Sequence, residues 1–504
     1  MSKLLRNISP AADPAQHFRT DHLKNDLKGR SVRGGAVTMV TQGCKFLLNL
    51  GSTVVLARLL SPQDYGLLGM VTSLTGFVYI FNDMGLSAAT IQKAEVNHKQ
   101  VSTLFWVNVA LSISLALLTA AMAPLIAWFY GEPRLIWITL VVAGTFIFAG
   151  LTVQHQALLR RQMRFVALAA IDIISILVGV ATTIIAAWYG AGYWALVLMQ
   201  VATVIATCVG VWVMCGWRPG PPVRGSGIRS MLAFGSNLAG FDFLNYMARN
   251  LDNVLIGRVW GANALGLYVK AYSLMMLPLQ QINSPIKAVA VPSLSRLHFE
   301  PEQFRNHYLK ALSLLTSITA PVVILMLVIS EEIVELILGS QWGEASIIFR
   351  FLGISALVQL ITNTSGWLYI CTGRTDRMFK WGVFSSTFLA MSFFIGLPYG
   401  AKGVALSYSI AKLLQTWPCM YYATRNTSIT MLDLLRAVQQ PLLASIPAGA
   451  IALTLKLTIG SSLPAWSTGI ITSLAMALTY YLIMFHVFNA KELYLSVVSQ
   501  FKRR

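Results

Sequence analysis

The sequence predicts an all-α polytopic membrane protein with about 14 transmembrane helices. Of its 504 residues, 56% are hydrophobic and 11% are charged, and the mean hydropathy is +0.64. Soluble proteins carry about 25% charged residues. Apolar runs of the roughly 20 residues that a spanning helix needs recur along the chain with short gaps. Strands of a membrane barrel would alternate apolar and polar residues instead, so these runs predict helices.

Twelve of the expected helices fall into two sets of six. The first set lies at residues 34–59, 65–90, 101–130, 135–157, 165–188 and 193–216. The second lies at 228–259, 264–293, 308–339, 346–371, 379–398 and 403–424, and two further helices lie at 436–458 and 465–488. Residues 1–33, 217–227 and 489–504 are polar or basic and are expected in the cytoplasm. Residues 1–33 contain no apolar run before a cleavage site, so we expect no removable signal peptide.

The basic residues are distributed unevenly about the predicted helices. The chain carries 38 Lys and Arg against 19 Asp and Glu, a net charge of +19. By position, 28 of the 38 fall on the side that holds both termini. The other side has only Arg58, Arg134, Arg258, Lys402 and Lys456. This is the positive-inside bias, which places both termini in the cytoplasm, requires an even number of helices and explains the charge without a nucleic-acid partner.

Metal and nucleotide motifs are missing from the sequence. The five cysteines have no CxxC spacing and lie in or beside apolar segments, where packing is the expected role: Cys44, Cys208, Cys215, Cys371 and Cys419. There is no GxxxxGK[ST] or HExxH sequence, so we expect no metal, no cofactor and no ATP hydrolysis.

An internal repeat divides the chain into two halves. A shift of 200 residues aligns 56–67 with 256–267, and a shift of 210 aligns Tyr189-Gly190-Ala191 with Tyr399-Gly400-Ala401. The halves are therefore residues 34–216 and 228–424, with helices 13 and 14 at 425–488 outside the repeat. Because six helices are an even number, both halves enter the membrane in the same direction. Such duplicated halves are typical of alternating-access transporters.

Two polar stripes are repeated with the halves. In the first helix, Gln42, Lys45, Asn49, Ser52 and Thr53 lie within an arc of about 100°. At the same positions plus 200, the seventh helix has Asp242, Asn245, Arg249, Asp252 and Asn253. A charge near the bilayer centre costs at least about 2.5 kcal/mol, so both stripes should face protein or a water-filled cavity. We expect them to line a substrate path.

Other charged residues also lie inside the predicted helices. Lys270 and Lys412 are candidates to reach the cavity, and Asp83 and Asp172 are candidates for a gate or for ion coupling. Asp83 would equally serve as a helix cap, and Asp172 as the partner of a cavity cation. Arg249 and Asp252, three residues apart, would equally neutralise each other and only join two helices.

Four segments carry a resemblance to a known family: residues 56–69, 83–92, 251–268 and 292–296. Their order, with the repeat, resembles the polysaccharide-transporter branch of the multidrug, oligosaccharidyl-lipid and polysaccharide exporter superfamily. The resemblance implies a MATE-like fold and a flippase for undecaprenyl-pyrophosphate-linked oligosaccharides in the bacterial inner membrane. Its products would be exopolysaccharide, capsule or lipopolysaccharide. Its partners would be this lipid-linked oligosaccharide, membrane lipids, and the polymerase and glycosyltransferases of the same pathway.

Two other functions compete with the flippase. A polysaccharide polymerase or ligase would place acid and base groups on a sizeable outer loop, but the predicted outer loops are short. Their carboxylate cluster, Glu331, Glu332, Glu335 and Glu344, fits a solvated helix end. A drug or cation antiporter of the multidrug branch would have the same fold. Organic cations favour an acidic cavity, whereas the stripes here include Lys45 and Arg249.

Overall fold

The computed structural model describes Phe18 and residues 27–83, 85–93, 96–223, 229–459 and 463–488. For residues 27–33, 80, 89, 92, 229–245, 247 and 248 it describes the backbone only. Within these ranges the chain is helical and forms no strand, which confirms the predicted all-α class. The predicted tails and the second part of the 217–227 linker lie largely outside the described residues.

The first eight α-helices follow one another with short connections. They are α1 Leu27–Leu59, α2 Pro62–Thr75, α3 Phe77–Asp83, α4 Leu86–Gln92, α5 His98–Tyr130, α6 Leu135–Arg161, α7 Phe165–Trp188 and α8 Tyr193–Cys215. The second predicted helix is thus three helices, and the first begins seven residues earlier than expected.

Nine further α-helices complete the described chain. They are α9 Arg229–Arg296, α10 Pro301–Val328, α11 Ser330–Ile337, α12 Gly343–Thr362, α13 Ser365–Cys371, α14 Thr375–Gly396, α15 Gly400–Thr424, α16 Met431–Ile459 and α17 Ala465–Leu482. A π-helical turn, Ile483–Val487, follows α17. The seventh and eighth predicted helices share α9, which is interrupted by non-helical backbone at Gly261.

Apolar length supports a multi-pass membrane protein. In the part of the chain that the structure describes, nine helical segments are long and apolar enough to cross a membrane. One of them, Thr375–Thr424, is 50 residues long and contains both α14 and α15. A bent pair, 34–59 with 62–75, adds a tenth, and its axes differ by 120°. All fourteen predicted segments lie on helices, and their number as separate spans stays a prediction.

A buried polar network holds the break between α3 and α4. The Asn108 amide donates to the Asn82 carbonyl at 3.0 Å, and the Gln154 amide donates to Asn108 Oδ1 at 2.9 Å. The Thr90 hydroxyl on α4 then donates to Gln154 Oε1 at 2.9 Å. Because these side chains satisfy one another, polar groups can lie inside the unit without an unmade hydrogen bond. The chain can therefore leave the helix after Asp83 and start again at Leu86.

Arg161 fastens the other end of α4. Its side chain is 7% exposed, and Nη1 donates to the carbonyls of Thr90 at 3.0 Å and Lys93 at 2.5 Å. The Thr90 carbonyl belongs to the last turn of α4 and the Lys93 carbonyl lies just beyond it, where carbonyls have no partner within the helix. Arg161 is one of the basic residues that make up the positive-inside bias. In the structure its side chain caps the end of α4.

The internal repeat is confirmed by backbone conformation. Residues with positive φ lie at helix boundaries in three pairs at the predicted offset of 210: Met163 and Gly373 (φ 54° and 67°), Gly190 and Gly400 (76° and 75°), and Gly216 and Asn426 (70° and 63°). The same hydrogen bonds accompany the first pair, because Arg164 N donates to Leu159 O as Arg374 N donates to Tyr369 O. At the offset of 200, the break at Ser61 recurs at Gly261.

The chain forms two compact units, Met1–Asn263 and Ala264–Arg504. In the first unit, α5 to α8 pack around Phe105, Leu158 and Val211. In the second, α10, α13, α15 and α16 pack around Tyr308 and Leu368. Close backbone approach matters at Gly66, where an added Cβ would lie 1.7 Å from the Ala262 carbonyl oxygen. The domain limits predicted from the repeat describe the duplicated sequence, whereas these two units describe packing. The predicted limits therefore remain predictions.

The Met163 and Gly373 pair yields a test of backbone strain. We expect Gly373→Ala to lower the melting temperature by roughly 1–2 °C, because a residue with a Cβ costs about 1 kcal/mol in the left-handed region. Open space surrounds that Cβ, so the loss would be conformational and not steric. Met163→Gly, which removes the same strain, should not lower the melting temperature. Differential scanning fluorimetry in detergent measures both, and equal effects would contradict the assignment.

Candidate functional site

An ion pair lies on the polar face of α1. Lys45 Nζ is 2.5 Å from Asp172 Oδ2 on α7, and the two side chains are 25% and 37% exposed. Both residues are candidates predicted from the sequence, and the structure shows that they contact each other. Gln42 and Asn49, one turn to either side of Lys45, are exposed.

The two most exposed apolar side chains of α1 face away from its exposed polar ones. Val40 and Leu47 are 68% and 67% exposed and lie roughly 140–160° around the helix from Gln42. An apolar surface of this kind suits lipid, whereas polar groups in hydrocarbon are costly. The polar face therefore suits water or a polar ligand.

No other formal charge shares this neighbourhood in the sequence. Lys45 is the one charged residue between Arg33 and Arg58 on α1, and Asp172 is the one charged residue of α7. α8, which packs on α7, has no charged side chain, and α6 has charges only near its end, at His155, Arg160 and Arg161. No other charged side chain on these helices therefore competes with the attraction between Lys45 and Asp172.

The ion pair belongs to the first half of the repeat alone. Lys45 corresponds to Asn245 at the offset of 200, and Asp172 corresponds to Gly382 at the offset of 210. Neither replacement is charged. The duplicated scaffold thus does not require the pair, which favours a specific role for it.

The second stripe lies on α9. The side chains of Asp242 and Asn245 lie outside the described residues. Asp252 is 6% exposed and accepts a hydrogen bond from the backbone N–H of Asn253 at 2.8 Å. The Asn253 amide donates to Asn250 Oδ1 at 3.3 Å. Asp252 and Asn253 therefore have hydrogen-bond partners within α9.

Arg249 differs from its neighbours on α9. Its side chain is exposed, and no ion pair joins it to Asp252 or to any other residue described by the structure. The alternative in which Arg249 and Asp252 neutralise each other is not observed. A guanidinium exposed on a polar face can bind a planar or tetrahedral anion through two hydrogen bonds.

Two candidate cations lie in the second unit. Lys412 on α15 places Nζ 5.6 Å from the centre of the Tyr408 ring. The Tyr408 hydroxyl accepts from Gln359 at 3.5 Å, and its ring stacks on Phe393. Lys270 on α9 is half-buried. An aromatic ring therefore adjoins the Lys412 ammonium, which is a favourable contact for a cation.

Asp83 acts as a helix cap. Its carboxylate accepts from the backbone N–H of Ser87 at 2.9 Å and from the Ser87 hydroxyl at 2.5 Å. This is the start of α4, where unpaired N–H groups favour an anion. The observed contacts match the cap that the sequence offered as the alternative, and a role of Asp83 in a gate stays a prediction.

Three of the four carboxylates in the predicted outer cluster, Glu331, Glu332 and Glu344, form ion pairs. Glu332 accepts from Lys456 at 2.8 Å, and Glu331 accepts from Arg350 at 2.9 Å, whereas the sequence predicts a simple solvated helix end here. In the turn after α5, the hydrogen bond from Arg134 lowers the pKa of the Glu132 carboxyl below its usual range. Carboxylates held as ions in pairs are suited to joining helices and poorly suited to donating a proton in catalysis.

Sequence reasoning missed the most buried polar residues, including Asn108, Gln154 and Arg161. Asn108 is an isolated polar residue in an apolar run, and Gln154 and Arg161 lie beside other polar residues, with no spacing that indicates chemistry. The available signal was the internal repeat. Asn108 and Gln154 correspond to Tyr308 and Thr364 at the offsets of 200 and 210, and that pair is also joined by a hydrogen bond, of 2.7 Å.

Similar proteins place this geometry in context. Residues 55–347 match the family described as polysaccharide biosynthesis protein. The teichuronic acid biosynthesis protein TuaB of Bacillus subtilis is 27% identical over 432 residues, which cover 84% of this chain and 89% of TuaB.

Solved structures show the same fold. Lipid II flippase MurJ, in its inward closed conformation, matches with a TM-score of 0.69 at 16% identity, covering 91% of this chain and 99% of MurJ. An inward-facing MATE-family multidrug resistance transporter matches with a TM-score of 0.62 at 13% identity, covering 75% and 93%. These likenesses confirm the predicted MATE-like fold.

The ion pair leads to a charge-exchange experiment. Lys45→Asp or Asp172→Lys alone would place like charges beside each other in the membrane, and we expect a marked loss of membrane-inserted protein. The double variant restores an opposite pair and should recover most of that loss. Reversing Glu132 and Arg134 singly, outside the membrane, should change the level little because water screens that pair. Fluorescence-detected size exclusion measures each level, and a double variant no better than the singles would disprove a direct interaction.

Proposed function

Because this chain belongs to the polysaccharide biosynthesis protein family, we propose that it is a flippase for undecaprenyl-pyrophosphate-linked oligosaccharide repeat units. It moves them from the cytoplasmic to the periplasmic leaflet of the bacterial inner membrane by alternating access. They supply the synthesis of exopolysaccharide, capsule or lipopolysaccharide. The observation that carries this proposal is the Lys45–Asp172 pair on a polar face of an otherwise apolar helix.

The cargo has three chemically different parts. Its pyrophosphate is an anion, and Lys45, Arg249, Lys270 and Lys412 are the proposed cations that attract it. Its glycan is rich in hydroxyls, which suit the amides of Gln42, Asn49, Asn245 and Asn253, with Asp242 and Asp252 as further acceptors. Its lipid tail remains in hydrocarbon throughout.

We propose that the pyrophosphate competes with Asp172 for Lys45. Lys45 is already bonded to a carboxylate, so a second anion must displace Asp172 or share the ammonium. A partly exposed pair is suited to such an exchange, because water can solvate the carboxylate that is released. Arg249, exposed and without an ion-pair partner among the described residues, would bind first.

This function is transport and not catalysis. The fold is shared with a flippase and a multidrug transporter, and fold alone does not choose the cargo. The family match and the name of TuaB favour a polysaccharide precursor over a drug. The mixed charge of the polar faces favours the same choice, because a cavity for organic cations would be acidic, whereas these faces include Lys45 and Arg249. The polymerase and glycosyltransferases of the same pathway are the proposed functional partners.

The orientation of the protein follows from the basic residues. We propose that both termini are cytoplasmic, because 28 of the 38 Lys and Arg lie on their side. A cysteine replacing Ser340, which is exposed, should react with an impermeant thiol reagent added to intact spheroplasts. A cysteine replacing Arg160, also exposed, should react only after the membrane is opened. Gln162 is unsuitable because it is 7% exposed. The reverse labelling pattern, in a cysteine-free background, would overturn the orientation.

Deletion of the gene distinguishes a flippase from an enzyme. The deletion strain should accumulate complete lipid-linked repeat units in the inner leaflet and lose polymer, because assembly continues while transport stops. Mass spectrometry of extracted lipids measures the accumulation, and a periplasmic glycan-modifying enzyme reports exposure. Single units that reach that enzyme in the deletion strain would favour a polymerase and exclude the flippase.

The same strain tests the site. Complementation with the Lys45→Asp and Asp172→Lys double variant should give inserted but inactive protein, because the cation has moved from α1 to α7. Full polymer production by this variant would show that the pair only joins the two helices.

A further inference from the structure

A group of basic and aromatic side chains lies at one end of α14 and α15. Arg374 donates to the carbonyls of Arg425 and Asn426, each at 2.8 Å, and Arg377 donates to the Arg425 carbonyl at 3.0 Å. Lys380 lies one turn further along α14 and is exposed. The guanidinium of Arg377 also lies 6.0 Å from the centre of the Tyr422 ring. Fixed cations are therefore gathered around the end of α15.

The charge of this group is strongly positive. Arg374, Arg377, Lys380 and the exposed side chain of Arg425 bring four positive charges. The one carboxylate in the same turns of α14 is Asp376, which is exposed. Asp433, at the start of α16, is bonded to Arg305 and is thereby neutralised. The group thus attracts anions.

The fold does not require three of these four cations. At the offset of 210, Arg374 corresponds to Arg164, so a basic residue recurs at this one position. Arg377, Lys380 and Arg425 correspond to Ala167, Ala170 and Cys215. The first half forms the same helices and the same left-handed turns with these uncharged residues. The additional cations therefore need an explanation other than helix capping.

Aromatic surface adjoins the cations on their membrane side. The Trp381 ring stacks on Tyr422 at 6.1 Å and contacts Phe384 at 5.3 Å. Phe384, two turns into a helix that is apolar enough to cross a membrane, is 53% exposed. Trp and Tyr favour the boundary between headgroups and hydrocarbon, and basic residues beside them attract anionic headgroups.

We propose that Arg377, Lys380 and Arg425 bind the phosphate headgroup of a resident anionic phospholipid, whose acyl chain packs along Trp381 and Phe384. The partner is one class of lipid, defined by a negative headgroup and a hydrocarbon chain. Charge complementarity and the continuous apolar surface below the cations support this choice. The site is on the second unit alone and is independent of the proposed transport function.

The test uses the full-length protein and two matched triple variants. Arg377→Ala, Lys380→Ala and Arg425→Ala together remove the three cations and introduce alanine at 377 and 380, as in the first half. Lys99→Ala, Arg160→Ala and Arg436→Ala remove three exposed cations elsewhere on the same predicted side. Native mass spectrometry then measures binding of phosphatidylglycerol and of phosphatidylethanolamine. We expect the first triple variant to bind phosphatidylglycerol at least about tenfold more weakly, and the control less than twofold.

A single variant distinguishes weaker lipid binding from a loss of folding. The Arg425 side chain forms no hydrogen bond or ion pair with the residues described, so Arg425→Ala should keep the wild-type melting temperature without lipid. It should still bind phosphatidylglycerol about threefold more weakly and gain less thermal stability when that lipid is added. Unchanged lipid binding in this variant and in the triple variant would overturn the proposal.

Other outcomes identify a different ligand. Equal loss in both triple variants would show unspecific attraction by total charge. Equal binding of soluble glycerol phosphate would show a phosphate site without a lipid. Displacement of phosphatidylglycerol by undecaprenyl pyrophosphate at equal concentration would show a substrate site. Each of these three results contradicts a resident phospholipid.

Discussion

The high cost of an unpaired polar group in hydrocarbon is the constraint on which the rest of this structure depends. It explains why Asn82, Asn108, Gln154 and Thr90 form one connected network, since each would otherwise leave a hydrogen bond unmade. It also explains Arg161, which supplies donors to helix carbonyls where water is excluded. These residues permit short helices and breaks inside an otherwise regular bundle. Where a polar side chain stays exposed on a membrane helix, as at Gln42 and Asn49, a different cause must be sought.

The repeat separates what the scaffold needs from what function adds. Left-handed turns recur at the same offset with different residues, as at Met163 and Gly373, so the backbone path is duplicated more faithfully than the sequence. The hydrogen-bonded pair Asn108 and Gln154 likewise recurs as Tyr308 and Thr364. Features present in one half only are therefore candidates for function. The Lys45–Asp172 pair is such a feature in the first half, and the basic group at α14 and α15 is one in the second.

Electrostatics in this protein has two separate uses. Basic residues at helix ends orient the chain, and some of them, such as Arg161 and Arg374, also bond to helix carbonyls. Charges on polar faces within the membrane, such as Lys45 and Arg249, are too costly to keep for orientation alone. Under the proposed function, a negatively charged cargo would stabilise these cations during transport.

Composition, periodicity and the repeat determined much of the protein from its sequence. The all-α class, the positions of the helices and the internal repeat follow from apolar run length and from residue spacing, which the sequence alone provides. The polar face of α1 was likewise predictable, because a helical period fixes which residues share a face.

Only the tertiary structure decided which groups meet. Lys45 and Asp172 are 127 residues apart, and no spacing rule relates α1 to α7. The same holds for Arg161 with Thr90, 71 residues apart, and for Arg374 with Asn426, 52 apart. Breaks such as that after Asp83 also depended on distant partners, since the side chains that satisfy the broken helix come from α5 and α6. The sequence shows which residues are polar. Only the packing shows which of these polar groups have hydrogen-bond partners and which remain accessible to a ligand.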